Sequence, residues 1–191
     1  MRNRKITILS ECAVMLALAF ALSCAKLFEM PMGGSVTVAS MLPIMIIGIK
    51  YGTGVGLGTA FVYSFLQMLQ ALISNNVFPY CETAGVLALC IIFDYAVPFT
   101  VLGLAGIFKN SLKNKEIGVY VGMISVVFIR FLCHFTTGVI IWGQWAPEGM
   151  GKYLYSLLYN GGFLSIDFII CIAAAILMLR TKEIRKLIKL D

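Results

Sequence analysis

The sequence predicts an all-α integral membrane protein, one membrane domain over residues 1–191 built as a bundle of six transmembrane helices with both termini cytoplasmic. Three observations lead there. The 191 residues are 60% hydrophobic and 13% charged, with a mean hydropathy of +0.94, whereas a soluble domain carries about 25% charged residues. Apolar runs approaching the ~20 residues that cross a bilayer recur along the whole chain. Lys and Arg crowd into alternate gaps between those runs, the mark of cytoplasmic loops.

The runs lie near residues 6–27, 37–49, 53–73, 83–107, 118–142 and 154–179. The first follows Arg2, Arg4 and Lys5. Its end, Leu22-Ser23-Cys24, imitates a lipoprotein signal cut before the cysteine, but the apolar character of everything downstream favours an uncleaved helix. Ala13, Ala17 and Ala21 recur at every fourth position, a stripe that lets another helix approach closely in lipid. That helix could belong to the same chain or to a separate membrane subunit. The second run is shorter than a standard span and stops at Lys50-Tyr51-Gly52, so one long helix over 37–73 is the alternative. The third opens on Gly52-Thr53-Gly54-Val55-Gly56-Leu57-Gly58. No Gly-Lys-Ser or Gly-Lys-Thr follows, so this reads as a glycine face for helix packing rather than a phosphate cradle.

Charge fixes the parity. With six spans, the N-terminus, the Lys50 turn, the 109–115 loop and the tail share one side, and that side holds twelve Lys and Arg, leaving Lys26 and Lys152 opposite and Arg130 within a span. The formal charge of +6 therefore reports topology and contact with the lipid bilayer, not a nucleic-acid partner. The opposite loops, 28–36, 74–82 and 143–153, mix Gly and Pro with Met, Tyr and Trp, a composition able to fold down as a lid. The six cysteines are scattered through apolar segments without metal-ligand spacing, and no Walker, HExxH or GxSxG motif occurs. These patterns predict no metal, no cofactor and no enzyme.

Polar residues inside the spans carry the chemistry, because each costs at least ~2–3 kcal/mol against lipid. Asp94 and Tyr95 sit in the fourth span; Arg130 and His134 lie one turn apart on the fifth, with Trp142 eight residues further. Tyr155 and Asn160 enter the sixth, and Asp167 lies two turns beyond Asn160 on its side. One reading is a buried structural network of Asp94, Arg130 and His134 that orients helices. The other is a pocket open to the outside, with a carboxylate, an imidazole, an amide and aromatic faces, suited to a flat, hydrogen-bonding, cationic heterocycle.

Several segments together resemble the thiamine-specific S component of energy-coupling-factor (ECF) transporters, the ThiT/YuaJ family. They are Met30-Pro31-Met32-Gly33-Gly34-Ser35-Val36; Asp94-Tyr95 followed by Leu102-Gly103-Leu104-Ala105-Gly106-Ile107-Phe108; Arg130-Phe131-Leu132-Cys133-His134-Phe135; and the block running from Gly138 through Trp142, Ala146-Pro147-Glu148-Gly149 and Tyr155-Ser156-Leu157-Leu158-Tyr159-Asn160-Gly161. The resemblance implies a bacterial, multi-pass cell-membrane subunit that binds extracellular thiamine with high affinity. It also implies delivery within a complex containing a transmembrane coupling subunit and two cytosolic ATPase subunits. By the same analogy Asp94, Tyr95, His134, Trp142, Tyr155 and Asn160 bind the substrate, and the stripe of Ala13, Ala17 and Ala21 docks the coupling subunit. Two departures mark further candidate substrate-binding positions: Gly34 stands where some members carry Trp, and Asp167 is an additional acid. Some members also carry Glu at the position of Asp94. A self-sufficient ion-coupled secondary transporter of a small cationic heterocycle is the alternative, in which Asp94, Arg130 and His134 relay protons or hold a coupling ion.

Overall fold

The computed structural model describes residues 3–190; Arg2, counted among the basic flanks, lies outside the described residues, as do Met1 and Asp191. Helices α1 (Arg4–Cys24), α3 (Thr53–Ser74), α4 (Ala84–Leu104), α5 (Lys115–Ile140) and α6 (Lys152–Leu179) are each long and apolar enough to cross a membrane. Large apolar side chains on their outer faces, such as Leu9, Ile73 and Ile169, are exposed, as lipid contact requires. Side-chain caps start several of them: the Asn3 carboxamide accepts from the Lys5 amide, Thr83 from Val86, and Asn114 from Glu116 and Ile117, each satisfying amides that lack an intrahelical partner.

The span expected at 37–49 is corrected. Its first residues are strand and turn, and its helix, α2 (Leu42–Tyr51), has ten residues, about 15 Å of rise and too little to cross ~30 Å of hydrocarbon alone. Such a short helix and its non-helical approach survive because protein surrounds them: Ile44, Met45, Ile47 and Ile49 are all buried. The turn to α3 is made by Gly52 at φ +87°, a conformation open to glycine, so 37–73 is not one helix. On α1, Glu11 accepts from both Lys50 and the Tyr51 hydroxyl, clamping the two helices at the basic face.

The glycine face exists, but only part of the run builds it. A Cβ on Gly56 would lie 2.2 Å from the Gly103 carbonyl oxygen, and one on Gly48 would also lie 2.2 Å from it. α2, α3 and α4 therefore cross with backbones in contact. Gly52, Gly54 and Gly58 meet nothing within 4 Å. The alanine stripe resolves the other way: Ala13, Ala17 and Ala21 are exposed, while α1 packs inward through Cys12, Ala19 and Ser23.

The lid-like loops have structure of their own. Residues 26–37 form a hairpin of β1 (Lys26–Glu29) and β2 (Ser35–Thr37), paired antiparallel, an addition to the expected all-helical fold. The other two of these loops contain short 3-10 turns at Phe78–Tyr80 and Trp142–Trp145, and they meet where Tyr80 packs edge-on against Trp145 with ring centroids 5.4 Å apart.

Candidate functional site

α4 is not a regular helix. An α-helical segment, Ala84–Cys90, passes into a π turn, Ile91–Ala96, in which the Val97 amide bonds to the Ile92 carbonyl five residues back. The sequence contains the cause. Pro98 has no N–H for the carbonyl of Asp94, four residues before it, and its ring would collide with that carbonyl. Widening the turn relieves the clash and places Asp94 and Tyr95 on the inner side, where both are buried. Single π turns inside α-helices are frequent at functional sites.

Asp94 is the centre of a network. One carboxylate oxygen lies 3.1 Å from His134 Nδ1 and accepts from the Thr137 hydroxyl; the other accepts from Trp142 Nε1 at 3.0 Å. Arg130 Nε lies 3.4 Å from His134 Nε2. Because a guanidinium only donates, Nε2 accepts, and His134 is the neutral tautomer whose Nδ1–H donates to Asp94. The guanidinium carbon sits 4.3 Å from the Phe99 ring centroid, and no carboxylate among the described residues forms an ion pair with Arg130. The expected helix-orienting network of Asp94, Arg130 and His134 is therefore present, with Thr137 as a member the sequence reading missed. Its readable signal was a hydroxyl three residues after His134, on the same face.

The network is also one wall of a cavity. Asp94, Tyr95, His134, Trp142, Tyr155 and Asn160 all line it, and so do Gly34 and Asp167. Residues expected from three separate spans and an outer loop thus converge on one space, of about 110 Å³ open to the centres of water molecules. Their present contacts differ. Asn160 donates its amide to the His134 carbonyl at 3.0 Å and to Ser156, tying α6 to α5. Asp167 accepts from both the amide and the hydroxyl of Thr37, at 2.9 and 2.8 Å, and so anchors the hairpin to α6. Trp142 is held edge-first by Asp94 and lies 5.8 Å from Trp145. Tyr155 lies tilted against Tyr159, with ring centroids 5.6 Å apart.

Tyr159, which the sequence reading did not single out as a site residue, closes the roof. Its hydroxyl accepts from the Gly34 amide at 3.2 Å and donates to the Pro31 carbonyl. A Cβ at Gly34 would stand 3.0 Å from this ring and 3.1 Å from Phe163. Glycine at 34 therefore lets the hairpin lie against α6 without displacing these two rings.

The profile of the thiamine transporter protein family (Thia_YuaJ) matches residues 9–187. The chain belongs to the thiamine transporter protein family. The thiamine transporter ThiT of Bacillus subtilis (strain 168) is 29% identical over 201 residues, covering 100% of this chain and 98% of that one. ThiT of Lacticaseibacillus paracasei is 26% identical over 174 residues, covering 84% and 81%. The structure of ThiT from Listeria monocytogenes superposes with a TM-score of 0.75 over 97% of this chain and 99% of that one, at 24% identity, and so shares the fold.

As a member of the thiamine transporter family with five membrane-length helices, the chain is a multi-pass bacterial membrane protein and not an enzyme. Among the described residues the family member's cavity holds Asp94, Asp167 and Arg130 within the helices, while Lys26 at its edge is paired with Glu29 at 2.7 Å. The sum of those formal charges is one negative, which a monovalent cation would neutralise.

Proposed function

We propose that this member of the thiamine transporter family is the substrate-binding subunit of an ECF-type importer. It binds extracellular thiamine with high affinity and passes it inward in a complex with a membrane coupling subunit and two cytosolic ATPase subunits, its own termini facing the cytoplasm. The observation that carries this reading is the convergence of Asp94, Tyr95, His134, Trp142, Tyr155 and Asn160 on one cavity with a single net negative charge. Thiamine joins a permanently cationic thiazolium to a flat aminopyrimidine. Asp94 supplies the countercharge, Tyr95, Trp142, Tyr155 and the face of the His134 ring supply surfaces for cation–π and ring contacts, and Asn160 supplies hydrogen bonding. Gly34 leaves the roof free of a side chain, and Asp167 adds a second acid beside Arg130. The cavity, about 110 Å³, is smaller than the roughly 300–1,000 Å³ of a typical ligand pocket, so binding thiamine requires its walls to widen.

Titration of the purified protein in detergent with thiamine, followed by quenching of Trp142 and Trp145 fluorescence, tests the binding role. Saturable quenching at submicromolar thiamine is expected, equivalent to more than about 8 kcal/mol of binding energy. Absence of quenching in folded protein would count against thiamine. Uptake by the chain alone in proteoliposomes, driven by an ion gradient, would favour the secondary transporter instead.

The exposed Ala13, Ala17 and Ala21 support α1 as the docking face for the coupling subunit, since small residues permit close helix approach in lipid. Ala17→Trp is expected to leave thiamine affinity unchanged while abolishing uptake in cells. Loss of both together would mean misfolding, and normal uptake would remove α1 as the docking face.

A further inference from the structure

A second recess lies at the opposite end of α6 from the hairpin. The first turns of α5 provide Glu116 and Tyr120, the end of α6 provides Ile176, Leu179 and Arg180, and the short helix α7 (Lys182–Leu187) provides Lys182, Arg185 and Lys186. The groove between them offers about 580 Å³ to the centres of water molecules. It contains four cations and one carboxylate. That carboxylate is already engaged: Glu116 Oε2 is 2.7 Å from Arg185 Nη1, and Oε1 accepts from the Tyr120 hydroxyl at 3.3 Å. Among the described residues Arg180, Lys182 and Lys186 form no ion pair, although all three are exposed around one concavity.

Two further features of the groove bear on what would suit it. The groove is built, not frayed: Lys109, lodged beneath the tail, donates its ammonium to the Ile49 carbonyl at 2.9 Å and the Ile188 carbonyl at 2.6 Å, which fixes the end of α7 against the bundle. Its lining residues also have exposed apolar neighbours at the end of a membrane-length helix. Leu177, next to the lining residue Ile176 at the end of α6, is 65% exposed, and Leu187, next to Lys186 on α7, is 52% exposed. Concentrated positive charge beside exposed leucines suits a ligand with an anionic head and apolar tails.

We infer that this groove binds the phosphodiester headgroup of an anionic phospholipid, with Arg180, Lys182 and Lys186 on the phosphate and the acyl chains along Leu177 and Leu187. General attraction of basic loops to the membrane surface would give no preference for these three residues over others on the same face. The difference between those two cases is measurable.

The full-length protein is reconstituted in phosphatidylcholine vesicles containing spin-labelled phosphatidylglycerol or spin-labelled phosphatidylcholine, and the protein-bound fraction of each label is read by electron paramagnetic resonance. Phosphatidylglycerol is expected to be enriched over phosphatidylcholine. The triple variant Arg180→Gln/Lys182→Gln/Lys186→Gln is expected to lower that preference by about fivefold or more, whereas Arg4→Gln/Lys5→Gln/Lys113→Gln, which removes the same charge from exposed sites elsewhere, leaves it nearly intact. Equal losses from both triples would assign the preference to diffuse charge and overturn the site. Release of the label by millimolar glycerol phosphate would assign the groove to a soluble phosphate rather than a lipid. An unchanged preference accompanied by lost uptake in cells would assign these residues to a protein partner. Thiamine titration of each variant reports folding, and Lys182→Gln/Lys186→Gln, confined to exposed positions on α7, replaces the triple if that variant fails to fold.

Discussion

Asp94→Asn is expected to weaken thiamine binding by about 100-fold while leaving a folded protein. The carboxylate receives donors from His134 and Thr137 on one oxygen and from Trp142 on the other. An amide keeps one acceptor but turns an N–H₂ toward the remaining donors, so at least one partner is released. The charge opposing the thiazolium is lost as well. A hydrogen bond to a charged group is worth about 1.5–3 kcal/mol, and at 1.4 kcal/mol per tenfold change the upper part of that range gives two orders of magnitude. Calorimetric titration with thiamine measures the loss, and thermal unfolding without ligand checks the fold. Asp94→Glu keeps the charge and is expected to stay within tenfold of the parent. Unchanged affinity in well-folded Asp94→Asn protein would take Asp94 out of the cation site and leave it as a strut between α4 and α5.

The largest loss of stability is expected from Gly103→Ala. The added Cβ would lie 2.3 Å from both the carbonyl carbon and oxygen of Gly56, and 2.6 Å from the Leu57 nitrogen. These are backbone atoms, so no rotamer change relieves the overlap, and α3 and α4 must separate. Overpacking typically costs 1–3 kcal/mol and occasionally more; a collision with main chain at a three-helix crossing belongs at or above about 3 kcal/mol. Gly54→Ala is the matched control. It is also helical, meets nothing within 4 Å, and is expected to be neutral or stabilising by up to about 1 kcal/mol, because alanine is the better helix former. The midpoint of thermal unfolding and the monodisperse fraction on size exclusion should fall steeply for Gly103→Ala and not for Gly54→Ala. Similar behaviour of the two would mean that the α3–α4 contact gives way easily.

The contrast between those two glycines shows where sequence reading stops. Both lie in or beside membrane spans, and the run from Gly52 to Gly58 reads as a single packing face. Only Gly56 of that run touches another backbone, because helical rotation turns Gly54 and Gly58 outward and the partner glycines, Gly48 and Gly103, come from other helices. The alanine stripe poses the same problem in reverse. Its spacing permits contact within the chain or with another protein, and only the packing of Cys12, Ala19 and Ser23 on the inner face leaves Ala13, Ala17 and Ala21 outside.

The site was more legible, since an ionisable group within a span has few places to go. Asp94, His134 and Trp142 were each identifiable, and they meet. Less legible were Thr137 and Tyr159, ordinary residues whose roles arise from what stands opposite them. Pro98 was visible four residues after Asp94, yet its effect, a π turn that rotates the acid inward, belongs to the backbone of α4 and not to any residue pattern.

Composition and residue pattern are enough to establish a membrane bundle, the segments that cross or approach the bilayer, the loops that carry positive charge, and the polar side chains that need shelter from lipid. Those properties follow from transfer between water and hydrocarbon, which acts on each segment locally. Tertiary structure alone decided that ten residues suffice for α2, that residues 26–37 form a hairpin pinned by Asp167 and Tyr159, and which glycines let backbones touch. Those outcomes depend on what each segment packs against: protein around α2 shelters backbone that lipid would not, and a side chain is excluded or required only by the atoms that face it.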